Sequence, residues 1–327
     1  MKTQCFITGG SGFVGRHLIQ VLVERGYAVR ALARSEQTAT LLRQLGAIPI
    51  RGDLHDSGSL RTGVQGCAIV FHLAASVDFW ADEQTLWPDH VTGTDNVLQA
   101  AHRAGVNRFV YLSAASVVMN GQPILNADEQ VTSNRLIDGY SRTKRIAEKH
   151  VLDANTTTFR TVAIRPPLIW GLGDTSALPQ IVEAAQTGQL AFIGGGKHQI
   201  VTANVRNVCH ALILAAEGDV SGDAFFVTDG EPQQFRRFIT DVLATQGVKA
   251  PERTVPLSVA RFMASVLAGV WRLFRLKGAP PLYPGMVNTL GLPFVVSDAK
   301  IRQQLGYRPV ISVADGLREM YPLQPAH

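Results

Sequence analysis

Tyr140 and Lys144 stand four residues apart in a stretch, 140–153, whose apolar spacing predicts a helix, so both side chains leave the same face. A phenol ordinarily titrates near ~10 and is a poor base at neutral pH. An ammonium one turn away favours the phenolate and would lower that value. Such a pair can pass a proton to or from an alcohol or carbonyl oxygen while a hydride moves at the adjacent carbon. The hydride needs a carrier, and the chain offers a seat for one near its start. Gly9, Ser11, Gly12, Phe13 and Gly15 lie in the run TGGSGFVG, between an apolar strand-like segment and a helical pattern. Glycines at that spacing let the backbone turn sharply and approach a pyrophosphate, and the helix start turns free N–H groups toward the phosphates. Either signal alone recurs by chance. In this order and context they point to nicotinamide-dependent oxidoreduction.

The cofactor's type should be written where the second strand ends. An NAD site usually places a carboxylate there for the ribose 2′-hydroxyl; this chain has Arg34, which suits the 2′-phosphate of NADP(H). Glu36, two residues on, leaves NAD(H) as the alternative. Asp53 and Leu54 follow the third strand directly, in place to meet the adenine, although an aspartate there equally suits a turn or helix cap.

The elements needed to hold these groups are legible as alternating strands and helices. Strands are expected at Gln4–Thr8, Ala28–Ala33, Ile48–Arg51, Ala68–Leu73, Arg108–Leu112 and Arg160–Arg165. Helices are expected at Val14–Arg25, Gln37–Leu45, Ser57–Val64, Thr94–Ala104 and Tyr140–Asp153. Strands apolar nearly throughout belong to a sheet covered on both faces, which predicts a Rossmann-type doubly wound parallel α/β fold. Residues 1–166 form the dinucleotide-binding domain, completed by 200–230 through a helix near Asn207–Glu217 and a strand near Ala224–Thr228. Residues 167–199 and 231–327 read as a smaller, mostly helical substrate lobe.

The motifs TGGSGFVG (8–15), HLAA (72–75), YSRTK (140–144) and RPPLIWGLG (165–173) resemble the extended short-chain dehydrogenase/reductase superfamily. Gly194–Glu217, FFVTDGEP (225–232), the helix before Gly278 and GYRP (306–309) narrow the likeness to its 3β-hydroxysteroid dehydrogenase-like branch. The resemblance covers nearly the whole chain and implies hydride transfer on a lipophilic secondary alcohol or ketone. It implies that Leu73, Ala74 and Ala75 line the nicotinamide side and that Pro166–Leu168 pass beneath the ring, adding Pro166 and Leu168 to the cofactor contacts. It also implies that Lys144 holds the nicotinamide ribose, and that the chain forms a homodimer through helices of the sheet domain. Two departures stand out. Where the family carries a substrate-polarising hydroxyl after the fifth strand, the alignment places Ala114, leaving Ser113 beside it or Ser116 two residues on to take that part. An asparagine usual before GTxN is replaced by His90, read here as a partly exposed structural histidine or as a substitute in a proton relay.

Segment 255–276 is the most apolar of the chain, but Arg261 and Arg272 leave too short a run between them to span a bilayer. It is expected as a helix laying its apolar face over the substrate cleft, with shallow membrane attachment through the flanking cations as the alternative. Trp80 and Trp87 are candidates to wall the same cleft. Apolar residues make up 46% of the 327, which excludes a disordered chain, and a net charge of +5 spread along the sequence excludes a nucleic-acid footprint. Cys5, Cys67 and Cys209 lack metal-ligand spacing and suit a reducing compartment, and no leader pattern precedes the first strand, so a cytoplasmic location is expected and no metal. Two other readings use the same scaffold: a nucleotide-sugar epimerase or dehydratase with bound NAD, and a non-catalytic NAD(P) sensor.

Overall fold

Successive residues of the apolar strands enter opposite cores, and this alternation sets the architecture. The computed structural model describes residues 2–131, 133 and 135–321. Seven strands build the main sheet: β1 (Gln4–Thr8), β2 (Ala28–Ala33), β3 (Ile48–Arg51), β4 (Ile69–His72), β5 (Arg108–Leu112), β6 (Arg160–Arg165) and β7 (Asp223–Phe226). They lie in the order β7-β6-β5-β4-β1-β2-β3, every pairing parallel. Ile7, Phe71, Val110 and Val162 face one core, which α1 (Phe13–Glu24) closes with Leu18 and Leu22. Their neighbours Phe6, Val70 and Phe109 face the other, closed by Leu60 of α2 (Ser57–Val64), Val97 of α3 (Gly93–Arg103) and Val151 of α4 (Gly139–Asp153). Each fully buried Leu or Phe contributes about 2 kcal/mol, so the sheet is secured from both sides. The fold is the doubly wound α/β class the sequence predicts.

The chain leaves β1 toward β2 and β3, then returns to place β4 on the other side of β1. At that switch point the C-terminal ends of two neighbouring strands part, and Thr8 stands opposite His72. Between β4 and β5 the structure adds what the sequence did not announce. A short helix, Glu83–Trp87, runs into a π-helical turn, Pro88–Thr92, where Gly93 N–H donates to the Pro88 carbonyl five residues back, and then into α3.

The second lobe is mostly helical toward its C-terminal part, as expected, and adds short strands. It carries a four-stranded sheet ordered Gln233–Gln234, Gln199–Ile200, Phe294–Val296 and Ile124–Ala127, plus two strand pairs. Strands of two to four residues are too short for a period-two signal to appear. Its long helix, α5 (Leu257–Leu273), packs inward through Ala260, Ala264 and Ala268, against Ile193 and Val287. The bulky apolar side chains expected over the cleft point away from the body instead. Among the described residues no helix is long and apolar enough to cross a membrane.

Candidate active site

The loop leaving β1 is shaped by two glycines that tolerate no side chain. Gly9 has a φ of +73°, and a Cβ there would lie 2.6 Å from the Ala74 nitrogen. At Gly15 it would lie 2.2 Å from the Gly9 carbonyl oxygen, so the first turn of α1 rests on the loop itself. Gly12 caps α1 without a side chain, so no side-chain oxygen covers the first free N–H groups. A backbone cradle at a helix start, bare of side chains and lacking acidic residues in the first turn, fits a dinucleotide's phosphates.

The approach of Leu73–Ala74 to Gly9 is fixed by a buried chain of hydrogen bonds. Ala74 N–H donates to Thr8 Oγ1 (3.3 Å), and Thr8 Oγ1 meets His72 Nδ1 at 2.6 Å. His72 Nε2 meets Thr94 Oγ1 at 2.9 Å, and that hydroxyl donates to the His90 carbonyl at 2.6 Å. Because Thr94 spends its proton on His90, His72 carries its own on Nε2 and accepts from Thr8 at Nδ1. Burial, then Lys144 and His90, bring the His72 pKa down to about 3, so the ring stays neutral.

Tyr140 and Lys144 both point inward from α4, each less than a tenth exposed. Asp138 caps that helix, its carboxylate accepting from Ser141 N–H at 2.7 Å. The Tyr140 ring is held between Phe79 (4.7 Å between centroids) and the edge of the His90 ring (5.4 Å, 84°). His90 is buried rather than partly exposed. Its Nε2 donates to the Ser76 carbonyl (2.9 Å) and its Nδ1 meets the Thr143 hydroxyl (2.8 Å), both made from the π-helical turn. Lys144 Nζ donates to the Leu112 carbonyl (2.7 Å) and lies over the Tyr111 ring (4.2 Å). Burial draws its pKa down to about 7, with Glu148 pulling the other way. Burial also pushes the Tyr140 phenol above its usual range. The spacing argument expected the ammonium to lower the phenol; in this geometry desolvation dominates both groups.

Two hydroxyls near the end of β5 are orphans: Ser113 Oγ and Ser116 Oγ are buried and, among the described residues, have no hydrogen-bond partner. An unsatisfied buried hydroxyl costs about 1–3 kcal/mol, which a bound oxygen atom would recover. Ala115 N–H donates to the Pro166 carbonyl (2.8 Å), drawing Pro166 beside this turn, while Leu168 opens the short strand that pairs with Thr202–Asn204. Sequence reasoning missed Glu148, one further turn along α4. It forms a two-pronged buried ion pair with Arg165 (2.6 and 2.8 Å), and only the i+8 spacing from Tyr140 hinted at it.

At the adenosine end, Arg34 is exposed just past β2, and among the described residues it makes no ion pair. Arg51, unremarked in the sequence, ends β3 directly opposite Ala33. Glu36 is engaged by Arg43 at 2.8 Å. Asp53 spends Oδ1 on the backbone N–H groups of His55 (2.7 Å) and Asp56 (3.1 Å), the turn role, while Asn96 Nδ2 donates to the carbonyl of buried Leu54 (2.9 Å). Trp80 packs on Tyr283 (5.4 Å) beneath the Arg272 guanidinium, whereas Trp87 stands partly exposed.

A seven-stranded parallel sheet, a glycine cradle at its switch point and an inward Tyr–Lys helix after β5 define the extended short-chain dehydrogenase/reductase class. Residues 6–259 match the model of the 3-beta hydroxysteroid dehydrogenase/isomerase family, and the chain belongs to that family. It is 39% identical to a 4-hydroxy-2-methyl-3-oxo-4-farnesyl-3,4-dihydroquinoline-1-oxide ketoreductase of Stigmatella aurantiaca, over 98% of this chain and 96% of that one. It is 34% identical to a decarboxylating sterol-4-alpha-carboxylate 3-dehydrogenase of Dictyostelium discoideum, over 96% and 99%. A dTDP-glucose 4,6-dehydratase of Streptomyces venezuelae, solved with NAD, superposes with a TM-score of 0.76 at 21% identity, covering 97% of this chain and 95% of that one, and shares the fold. The protein is an NAD(P)-dependent oxidoreductase.

Proposed function

We propose that this enzyme interconverts a secondary alcohol and a ketone on a lipophilic, sterol-like or acyl substrate, using NADP(H), with Tyr140 as general acid/base. The observation that carries the reading is a buried phenol on the helix that also brings Lys144 to the end of β5, where two unpartnered serine hydroxyls wait. Gly9, Ser11, Gly12, Phe13 and Gly15 would hold the pyrophosphate, and Leu73–Ala75 with Pro166 and Leu168 would flank the nicotinamide, which supplies or accepts the hydride. Tyr140 would hand its hydroxyl proton to the carbonyl oxygen as the carbon receives the hydride. The phenol, raised by burial, is protonated at neutral pH and is the proton donor of the reductive direction; its phenolate is the acceptor in the reverse one. Lys144 would hold the nicotinamide ribose, and Ser113 or Ser116 would donate to the reacting oxygen.

Support for NADP(H) lies in Arg34 and Arg51, two cations at neighbouring strand ends, with the nearby carboxylate of Glu36 already paired. Support for a lipophilic substrate comes from the farnesyl-quinoline and sterol names of the relatives and from apolar Phe79, which lies against Tyr140 and is 45% exposed. The test is NADPH consumption with a panel of lipophilic ketones. Tyr140→Phe should lower turnover by about 10²–10⁴-fold while leaving NADPH binding in place. Arg34→Ala should narrow the preference for NADPH over NADH by roughly tenfold or more. Turnover surviving in Tyr140→Phe would remove the tyrosine from the chemistry.

A further inference from the structure

Helix α5 shows the solvent the wrong face for a helix of a freely soluble domain. It is secured to the body by a ridge of alanines, while Val259, Phe262, Met263, Val266 and Leu273 form one outward stripe. Phe262 is 71% exposed and Leu273 77%, and exposed Phe274 and Leu276 extend the stripe beyond the helix. From Val259 to Leu273 the stripe runs about 21 Å along the helix axis, too short to span a bilayer and long enough to lie on one.

The charge around it is one-signed. Residues 253–297 contain Arg253, Arg261, Arg272, Arg275 and Lys277 and not one Asp or Glu. Among the described residues none of these five cations has an ion-pair partner. Arg275 also occupies a backbone position that glycine normally fills. Its φ is +49°, and the helix ends in the paired bonds Leu276 N–H to Trp271 O (3.0 Å) and Arg275 N–H to Arg272 O (3.4 Å). An arginine there is held at a conformational cost that glycine would avoid. Two copies meeting through this face would crowd like charges together, so a second copy of the chain is disfavoured.

We infer that α5 and the segment to Lys277 dock the enzyme on an anionic lipid bilayer, the apolar stripe among the acyl chains and Arg275 and Lys277 at the headgroups. The docked segment adjoins the site. Arg272 caps Trp80, next in the chain to the Phe79 that packs on Tyr140. A substrate dissolved in the bilayer would thus meet the apolar mouth without crossing water; that consequence rests on the function proposed above, whereas the docking does not.

The test is co-sedimentation of the full chain with vesicles of phosphatidylcholine, alone or with about one-third phosphatidylglycerol. Binding is expected to the anionic vesicles, weakening as salt rises. Phe262→Glu combined with Val266→Glu should lower vesicle affinity more than tenfold while a short water-soluble ketone is reduced at the wild-type rate. Arg275→Gly separates docking from folding: it should raise the Tm by roughly 1–3 °C and weaken vesicle binding about fivefold. The proposal is overturned if the wild type stays in the supernatant with anionic vesicles. It is equally overturned if the double substitution still binds, or if that substitution instead converts a dimer to a monomer. Docking intact with no ketone reduced would count against the proposed function and not against the docking.

Discussion

At the residue scale, Ser113 and Ser116 are the most informative side chains, because the hydroxyl oxygen of each is covered and, among the described residues, neither is bonded. They are not equivalent. Along the exit of β5, Leu112, Ala114 and Ser116 are partly exposed while Ser113 and Ala115 are buried, and Ala114 is extended (φ −149°, ψ 147°). Ala115–Val118 wind into a 3-10 turn, so the strand's alternation ends at Ala114; Ser113 faces inward from the strand, and Ser116 belongs to the turn, a partly exposed residue whose Oγ is itself covered. Ser116→Ala should lower kcat about 10²-fold, the scale of a lost donor to developing negative charge, with little change in KM for the cofactor. Ser113→Ala should cost less than tenfold and leave a slightly more stable protein, since an unsatisfied buried hydroxyl is removed. Steady-state kinetics on the two variants would reverse the assignment if the larger loss fell on Ser113.

At the scale of elements, α4 matters less as a helix than as a helix held in one place. Glu148 and Arg165 lock its middle to the end of β6, the His90 ring of the π-helical turn locks its start, and Asp138 caps it. Glu148→Gln removes the charge and leaves buried Arg165 only the more distant carboxylates of Glu129 and Asp223, so unfolding should become easier by about 3 kcal/mol in a denaturant titration. Lys144 also loses the neighbour that raises its pKa, which should fall further below about 7. A loss under about 1 kcal/mol would mean the pair is no tighter than a surface salt bridge. Much of this level was legible in the sequence. β1, β2, β3, β5 and β6 have the bounds their apolar runs predict; for the strands inside the sheet this follows because burial on both faces leaves no polar alternation to blur their ends, while β3 lies at the sheet's edge. Tyr140, Lys144 and the glycine loop were legible because their spacing is fixed by local geometry. The Thr8–His72–Thr94–His90 chain was not, since it joins residues from β1, β4, α3 and the π-helical turn whose proximity depends on strand order. The sequence left α5 open between a lid on the cleft and attachment to a membrane surface for the same reason: it marks a helix as apolar but does not say which side its partner will take.

At the scale of the whole molecule, the site's burial should be visible in the pH dependence of stability without cofactor. Folding depresses His72 to about 3 and His90 to about 4, so between those values and their ordinary 6.5 the unfolded chain binds more protons than the folded one. Stability therefore rises with pH across that window. Burial raises Glu129 and Asp138, which oppose the rise on the acid side. Lys144 repeats the histidine pattern on the alkaline side: folded at about 7 and unfolded at 10.5, it again leaves the unfolded chain holding the extra proton, so stability keeps climbing above neutrality. Cys5, pushed up to about 12 from 9.0, and the buried Tyr140 and Tyr283 act in the reverse sense, because the folded protein keeps protons the unfolded one sheds. Their effect begins near pH 9. The Tm of the cofactor-free enzyme should thus peak near pH 9, above the usual range of about 5–8. Lys144→Met should remove the rise between pH 7 and 9 while leaving the acid limb unchanged. A wild-type maximum near pH 6, or a Lys144→Met profile still climbing above neutrality, would show that the lysine is not held in the dry environment its contacts describe.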